Sequence, residues 1–230
     1  PNPGIEAYVR DTLPLLRTLG APLVINIAGH DIPEFAELAQ RLEREDGIDA
    51  LELNMSCPNV SGGMDYSTSP DAAREVLQRV RDVTDRPLIA KLSPNVTDPR
   101  PIAAAAAEGG ADAISAINTL LGMAVDWRHQ KPVLGRGVGG LSGPCIKPVA
   151  LRVVHQISSA VDVPVIGIGG IENADDAMEF FVAGASAIQV GTANYYNPSA
   201  AVEILEGLPS RLEAMGATSL GEIVGSIRMP

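Results

Sequence analysis

The chain has 230 residues, 46% of them hydrophobic, and a net charge of −11. This length is enough to bury one sizeable core, and no apolar run approaches the roughly 20 residues that a membrane-spanning helix needs. The acidic balance, without a cluster of Lys and Arg, argues against a nucleic-acid partner. We therefore expect a soluble globular protein that binds neither nucleic acid nor membrane.

The chain has two cysteines, Cys57 and Cys145, and three scattered histidines. Two cysteines in a chain of this size indicate free thiols in a reducing compartment. None of these residues shows the spacing of a metal site, such as Cys-x-x-Cys. We predict a cytoplasmic protein without a bound metal.

Strands and helices alternate along the chain after a first helix that follows a turn at Pro3-Gly4. The predicted strands are 23–28, 50–55, 88–92, 113–118, 164–168 and 187–190. Each is nearly continuous in apolar residues, as expected of parallel strands that are covered on both faces.

The segments between the strands predict helices because their apolar residues recur with the helical period. These helices are 31–45, 69–84, 98–109, 147–161, 173–183 and one that begins near Pro198. Ser69 and Asn173 are suitable N-caps, and Pro70 suits the first helical position. No low-complexity linker interrupts the alternation, so residues 1–230 are interpreted as a single domain.

Two architectures fit this alternation, an open doubly wound sheet and a (β/α)8 barrel. Polar residues and glycines follow nearly every strand: Asn26, Asn54, Cys57, Lys91, Asn118, Thr119, Gly169, Gly170, Gly191 and Thr192. A site built from many strand ends is typical of a barrel, and no Gly-x-Gly-x-x-Gly turn follows a strand. We predict an α/β TIM barrel with about six of its eight units in this chain, and we expect the first two strands to be absent from it.

Two late glycine segments predict a phosphate site. Gly169-Gly170 and Gly191-Thr192 each end a strand and precede a helix, where backbone N–H groups can approach an anion. Loops after the seventh and eighth strands are the usual phosphate site of such barrels. The alternative is that these glycines only form turns.

Lys91 lies within an apolar strand, so it needs an anion or several acceptors if it is buried. A surface lysine on an edge strand is the alternative interpretation. Asn118 and Thr119 end the next strand, where they either bind a ligand or cap a turn.

Cys57 lies among polar residues in Asn54-Met-Ser-Cys57-Pro-Asn59. A thiol can act as a nucleophile or as a general base, and no histidine lies near Cys57 in the sequence to form a Cys–His pair. Both roles remain open from these residues alone. Cys145 lies near a helix start without comparable neighbours and is interpreted as structural.

Six motifs occur in order along the chain: Asn54-x-x-Cys57-Pro-Asn59, Lys91-Leu-Ser-Pro-Asn-Val-Thr-Asp98, Ile117-Asn-Thr119, Gly139-Gly-Leu-Ser-Gly-Pro144, Gly167-Ile-Gly-Gly170 and Val190-Gly-Thr192. Together they resemble the motifs of class 1 dihydroorotate dehydrogenases. The NAD-linked subtype is the most similar, judged by the segments 92–98 and 118–123. The resemblance extends from Pro1 to about Leu208.

The resemblance implies an FMN enzyme of pyrimidine biosynthesis that oxidises dihydroorotate to orotate. It implies that Cys57 is the base that removes the C5 proton while a hydride passes from C6 to FMN. The implied substrate-binding residues are Asn54, Asn59, Asn118 and Thr119. The implied FMN-binding residues are Asn26, Asn54, Lys91, Ile117, Gly143, Gly169, Gly170, Gly191 and Thr192.

The resemblance also implies partners. In the NAD-linked subtype a separate subunit carries FAD and an iron–sulfur cluster, and the catalytic subunits form the homodimer core of a heterotetramer. Two cysteines cannot supply a four-cysteine cluster, so the cluster is expected in that partner subunit. The family begins before Pro1, in a region that carries a substrate-binding lysine. The alternatives are a related FMN barrel that acts on another dihydropyrimidine and a truncated barrel without catalysis.

Overall fold

A computed structural model describes residues 3–56 and 66–230, and its main feature is a six-stranded parallel sheet. The strands of the described residues are, in chain order, β1 (Val24–Ile27), β2 (Ala50–Asn54), β3 (Leu88–Leu92), β4 (Ala113–Ala116), β5 (Leu120–Gly122), β6 (Val125–Asp126), β7 (Lys131–Pro132), β8 (Gly139–Leu141), β9 (Val165–Ile168) and β10 (Ala187–Gln189). The main sheet has the order β1-β2-β3-β4-β9-β10. All six of its strands coincide with predicted strands.

Helices connect successive strands of this sheet. The α-helices are α1 (Ile5–Ala7), α2 (Leu13–Arg17), α3 (Ile32–Glu43), α4 (Pro70–Arg81), α5 (Arg100–Glu108), α6 (Lys147–Ser158), α7 (Ala174–Ala183), α8 (Ala193–Tyr196) and α9 (Ala200–Met215). A π-helical segment, Tyr8–Thr12, joins α1 to α2. The predicted caps are confirmed, because the side chain of Ser69 accepts a hydrogen bond from the N–H of Ala72 and that of Asn173 from Asp176.

The main sheet is strongly curled. Three strands separate β2 from β10 in the sheet, which in a flat sheet corresponds to about 19 Å at the usual strand spacing. Yet the Gln189 side chain of β10 donates a hydrogen bond to Glu52 of β2 at 2.7 Å. The strand order also follows the chain without the reversal of a doubly wound sheet. The fold is therefore a partial TIM barrel, as predicted.

Two arginines secure the end of the barrel at which the strands begin. Arg81 and Arg86 each donate to several backbone carbonyls in the loops that lead into β2, β3 and β4. The carbonyls are those of Thr84, Arg86 and Gly110 for Arg81, and those of Glu43, Glu45 and Ile48 for Arg86. Because one guanidinium presents five donors, each arginine satisfies several loop carbonyls at once.

A ribbon of two short antiparallel pairs, residues 120–141, lies between β4 and α6. β5 pairs with β8, and β6 pairs with β7. The ribbon was not predicted, because strands of two or three residues carry no periodic signal. Asn95 anchors its start, donating to the carbonyl of Thr119 at 3.1 Å and accepting from the N–H of Leu121 at 3.0 Å.

No helix in the described part of the chain has the length and apolar character needed to cross a membrane.

Candidate active site

A cavity of about 240 Å³ opens at the carboxyl ends of the strands β3, β4, β9 and β10. This end of a TIM barrel carries the active site in characterised enzymes of the fold. Nine of the residues singled out in the sequence line this cavity: Lys91, Ile117, Asn118, Thr119, Gly143, Gly169, Gly170, Gly191 and Thr192. Residues from five separate motifs therefore surround one space.

Two other predicted site residues, Asn26 and Asn54, are not among the residues that line this cavity. Asn26 is exposed on the edge strand β1 and donates to Glu52 at 2.5 Å. Asn54 is half-buried and accepts from Asn118. Cys57 and Asn59 lie outside the described residues.

Lys91, which is partly buried, forms an ion pair with a buried residue that the sequence analysis missed. Its Nζ lies 3.2 Å from Oε2 of Glu52, which is only 3% exposed. Ser115 Oγ and Gln189 Nε2 each donate to Oε1 of Glu52 at 2.7 Å. Glu52 is therefore the anion that a buried Lys91 requires. The same reasoning applied to Glu52, an acid inside the apolar strand β2, would have found this pair.

Glu52 is ionised despite its burial. Burial raises the pKa of this carboxyl, but the charge of Lys91 and the hydrogen bonds from Gln189, Ser115 and Asn26 together hold the pKa below its usual range. The site thus contains a fixed negative charge next to the ammonium group at the cavity wall.

The Asn118 amide connects two strand ends. Its Nδ2 donates to Asn54 Oδ1 at 2.9 Å and to Ser56 Oγ at 2.7 Å, and its Oδ1 accepts from the N–H of Thr119 at 2.8 Å. Both amide protons of Asn118 are therefore engaged. Ser56 directly precedes Cys57 in the chain. The hydrogen bond from Asn118 therefore holds the position of the residue next to this cysteine.

The glycine segments form a cradle suited to an anion. Within the described residues, no protein acceptor binds the backbone N–H groups of Gly170, Gly191 or Thr192. A β-carbon at Gly170, where φ is +77°, would lie 2.9 Å from the carbonyl oxygen of Gly143, whereas one at Gly191 would meet open space. Free N–H groups around an open space favour a phosphate, so the residues present fit the phosphate of a nucleotide cofactor.

Further residues at the cavity were not predicted. The hydroxyl of Tyr196 donates to Glu172, and this hydrogen bond raises the pKa of Tyr196. Thr192 Oγ1 donates to Ser142 Oγ at 2.9 Å. Cys145 is exposed, with its Sγ 3.7 Å from the Ser142 carbonyl oxygen, and its interpretation as structural stays a prediction.

Among the described residues, no group of three or more His, Cys, Asp or Glu side chains is arranged to hold a metal ion.

Polar residues gathered at the carboxyl ends of the strands of a partial TIM barrel are typical of the enzymes of this fold. The dihydroorotate dehydrogenase family model matches residues 1–212. The dihydroorotate dehydrogenase B (NAD(+)) catalytic subunit of Geotalea uraniireducens (strain Rf4) is 51% identical over 227 residues, which are 98% of this chain and 74% of that protein. The catalytic subunit of the same name in Alkaliphilus metalliredigens (strain QYMF) is 50% identical over 98% of this chain and 75% of its own length.

The chain therefore belongs to the dihydroorotate dehydrogenase family, as its motifs predicted. Enzymes of this family are flavin-dependent.

Proposed function

We propose that this protein is the catalytic subunit of an NAD-linked dihydroorotate dehydrogenase, which oxidises dihydroorotate to orotate in pyrimidine biosynthesis. The observation that carries this proposal is the identity of about half of all residues, over 98% of the chain, to subunits of that name. Identity of this extent over nearly the whole chain favours the same reaction over oxidation of another dihydropyrimidine.

FMN is the flavin that we assign to the cavity, where it would accept the hydride from the substrate. The free N–H groups of Gly170, Gly191 and Thr192 support phosphate binding at one end. Lys91 and Ile117 line the cavity, and we assign the Lys91 side chain and the Ile117 backbone to the rest of the cofactor. We assign further FMN contacts to Asn26, Asn54, Gly143 and Gly169.

The substrate is assigned to the amide-rich end of the site. Asn54, Asn59, Asn118 and Thr119 would hydrogen-bond the pyrimidine ring, whose carbonyl and N–H groups match carboxamides. Within the described residues, Asn54 accepts a hydrogen bond from Asn118 through its Oδ1, which joins these two carboxamides. Cys57 would take the C5 proton of dihydroorotate on its Sγ, acting as a general base.

The partner is assigned by the same relatives, whose name describes a catalytic subunit and NAD(+). We propose that a second subunit carrying FAD and an iron–sulfur cluster transfers the electrons to NAD. We further propose a homodimer core within a heterotetramer, a single FMN-binding domain over residues 1–230 and a cytoplasmic location.

The absorption spectrum of the purified protein tests this function. We expect a yellow protein with the absorption bands of an oxidised flavin, which are bleached under anaerobic conditions when dihydroorotate is added. Dihydrouracil, which lacks the carboxylate, is the control and should leave the flavin oxidised. A colourless protein, or bleaching by dihydrouracil alone, would overturn the proposal.

A further inference from the structure

The carboxylate of Glu52 has no capacity left for a ligand. Its two oxygens accept from four donors, which come from four different strands: Asn26 of β1, Lys91 of β3, Ser115 of β4 and Gln189 of β10. An ionised carboxylate offers about four lone-pair sites, so all are occupied. Glu52 is also almost fully buried. It is therefore suited neither to bind the substrate nor to remove a proton.

Lys91, in contrast, keeps capacity for a ligand. Its ammonium has three N–H donors, and within the described residues Glu52 is its one partner. The side chain also lines the cavity that we assign to the flavin. Gln189, the other partner of Glu52 that lines the cavity, is uncharged, so an effect of Glu52 on the charge at the cavity wall acts through Lys91.

We propose that Glu52 is a positioning residue that holds the Lys91 ammonium at the cavity wall and balances the positive charge that a bound flavin meets there. This inference rests on the proposed function, because it requires a flavin in the cavity. A reduced flavin carries more negative charge than an oxidised one, so a nearby positive charge favours the reduced form. Glu52 limits this preference by neutralising Lys91.

Two substitutions should therefore shift the flavin potential in opposite directions. Glu52→Gln removes the negative charge and leaves Lys91 unbalanced, so the potential should rise. Lys91→Met leaves the negative charge of Glu52, so the potential should fall. Each change should alter the ratio of the affinities for reduced and oxidised flavin at least tenfold, which is about 30 mV for a two-electron couple.

The double variant Glu52→Gln/Lys91→Met removes both charges. We expect its potential to lie within about 30 mV of the wild-type value, since the two shifts cancel. It also avoids leaving a buried charge unpaired, which can destabilise a single variant strongly. The double variant thus keeps the test valid if a single variant fails to fold.

The experiment is an anaerobic titration of the FMN-loaded protein against redox dyes, with FMN affinity measured in parallel by fluorescence. Glu43→Gln is the matched control, because Glu43 pairs with Arg86 at the opposite end of the barrel. The control should leave the potential unchanged.

Three results would overturn the inference. The first is a yellow Glu52→Gln protein whose flavin potential is unchanged or lowered, and the second is a shift of the same sign in both single variants. The third is a double variant whose ratio of affinities for reduced and oxidised flavin differs more than tenfold from that of the wild type. A colourless wild-type protein would instead reject the proposed function, so the two failures are distinguishable.

Discussion

Thr119 and Gly140 are in such close contact that a β-carbon at position 140 would lie 2.4 Å from Thr119 Oγ1. Gly140 belongs to β8 and pairs with Leu121 of β5, so the ribbon sits directly against the strand end that carries Thr119. Thr119, whose hydroxyl we propose binds the substrate, can therefore keep its position only because residue 140 is a glycine.

Gly140→Ala should displace Thr119 and raise the KM for dihydroorotate about tenfold, while FMN affinity remains unchanged. The added methyl overlaps the Thr119 side chain, which has to move. Steady-state kinetics and FMN titration measure the two quantities separately. Gly122→Ala is the matched control in the same ribbon, because a β-carbon there makes an ordinary contact of 3.5 Å with Leu141. An unchanged KM for Gly140→Ala would contradict the assignment of Thr119.

Gly191→Ala should weaken FMN binding about tenfold, or about 1.4 kcal/mol, without lowering the stability of the flavin-free protein. A methyl group at this position would contact no atom of the residues that the structure describes and would project into open space. Fluorescence titration with FMN and urea denaturation of the flavin-free protein check the two parts. Gly135→Ala, at another position with open space, is the control. Unaltered FMN affinity in Gly191→Ala would place the cofactor away from this loop.

Cys57→Ser should slow flavin reduction by dihydroorotate by several orders of magnitude and leave FMN bound, because serine is a far weaker base near neutral pH. Stopped-flow absorbance under anaerobic conditions measures this rate. Cys145→Ala is the matched control and should be silent, since Cys145 is exposed and its Sγ faces the Ser142 carbonyl. Near-normal reduction in Cys57→Ser would remove the thiol from the role of base.

Acid should destabilise the wild-type protein partly through Glu52. Its pKa in the folded protein lies below the ordinary value of 4.5, so the unfolded chain binds this proton first as pH falls. The stabilisation is complete above about pH 4.5 and is lost as pH decreases through the lower folded pKa. Urea midpoints between pH 7 and pH 3 should therefore fall more steeply for the wild type than for Glu52→Gln/Lys91→Met. If the urea midpoints of the two proteins changed in parallel with pH, Glu52 would have the same pKa in the folded and the unfolded protein, which would contradict this prediction.

The sequence predicted the elements that have a clear period or a clear cap. All six strands of the main sheet were found because each is an apolar run, and the caps Ser69 and Asn173 were found because they precede amphipathic helices. The segments Gly169-Gly170 and Gly191-Thr192 were singled out because they end two consecutive strands of the sheet, and phosphate binding by them stays a prediction. These signals are local, so a single sequence contains them.

The parts that were missed depend on contacts between distant segments. An acid inside the apolar strand β2 could have been noticed in the sequence, but the hydrogen bond that Glu52 accepts from Gln189, 137 residues away, depends on the curl of the sheet. The ribbon consists of strands too short for a periodic pattern, and it is stabilised by Asn95 from another loop. The capture of both Asn118 amide protons by Asn54 and Ser56 likewise appears only when the strand ends meet.

The arginine anchors of the strand entrances have a consequence for the evolution of this protein. Arg81 and Arg86 fasten the loops at the end of the barrel remote from the cavity. Mutations that alter ligand preference can thus accumulate at the carboxyl ends of the strands, while the contacts at the amino ends continue to stabilise the fold. In a laboratory selection for new substrates, the protein should accordingly still fold when residues around the cavity are varied, provided that Arg81 and Arg86 are kept.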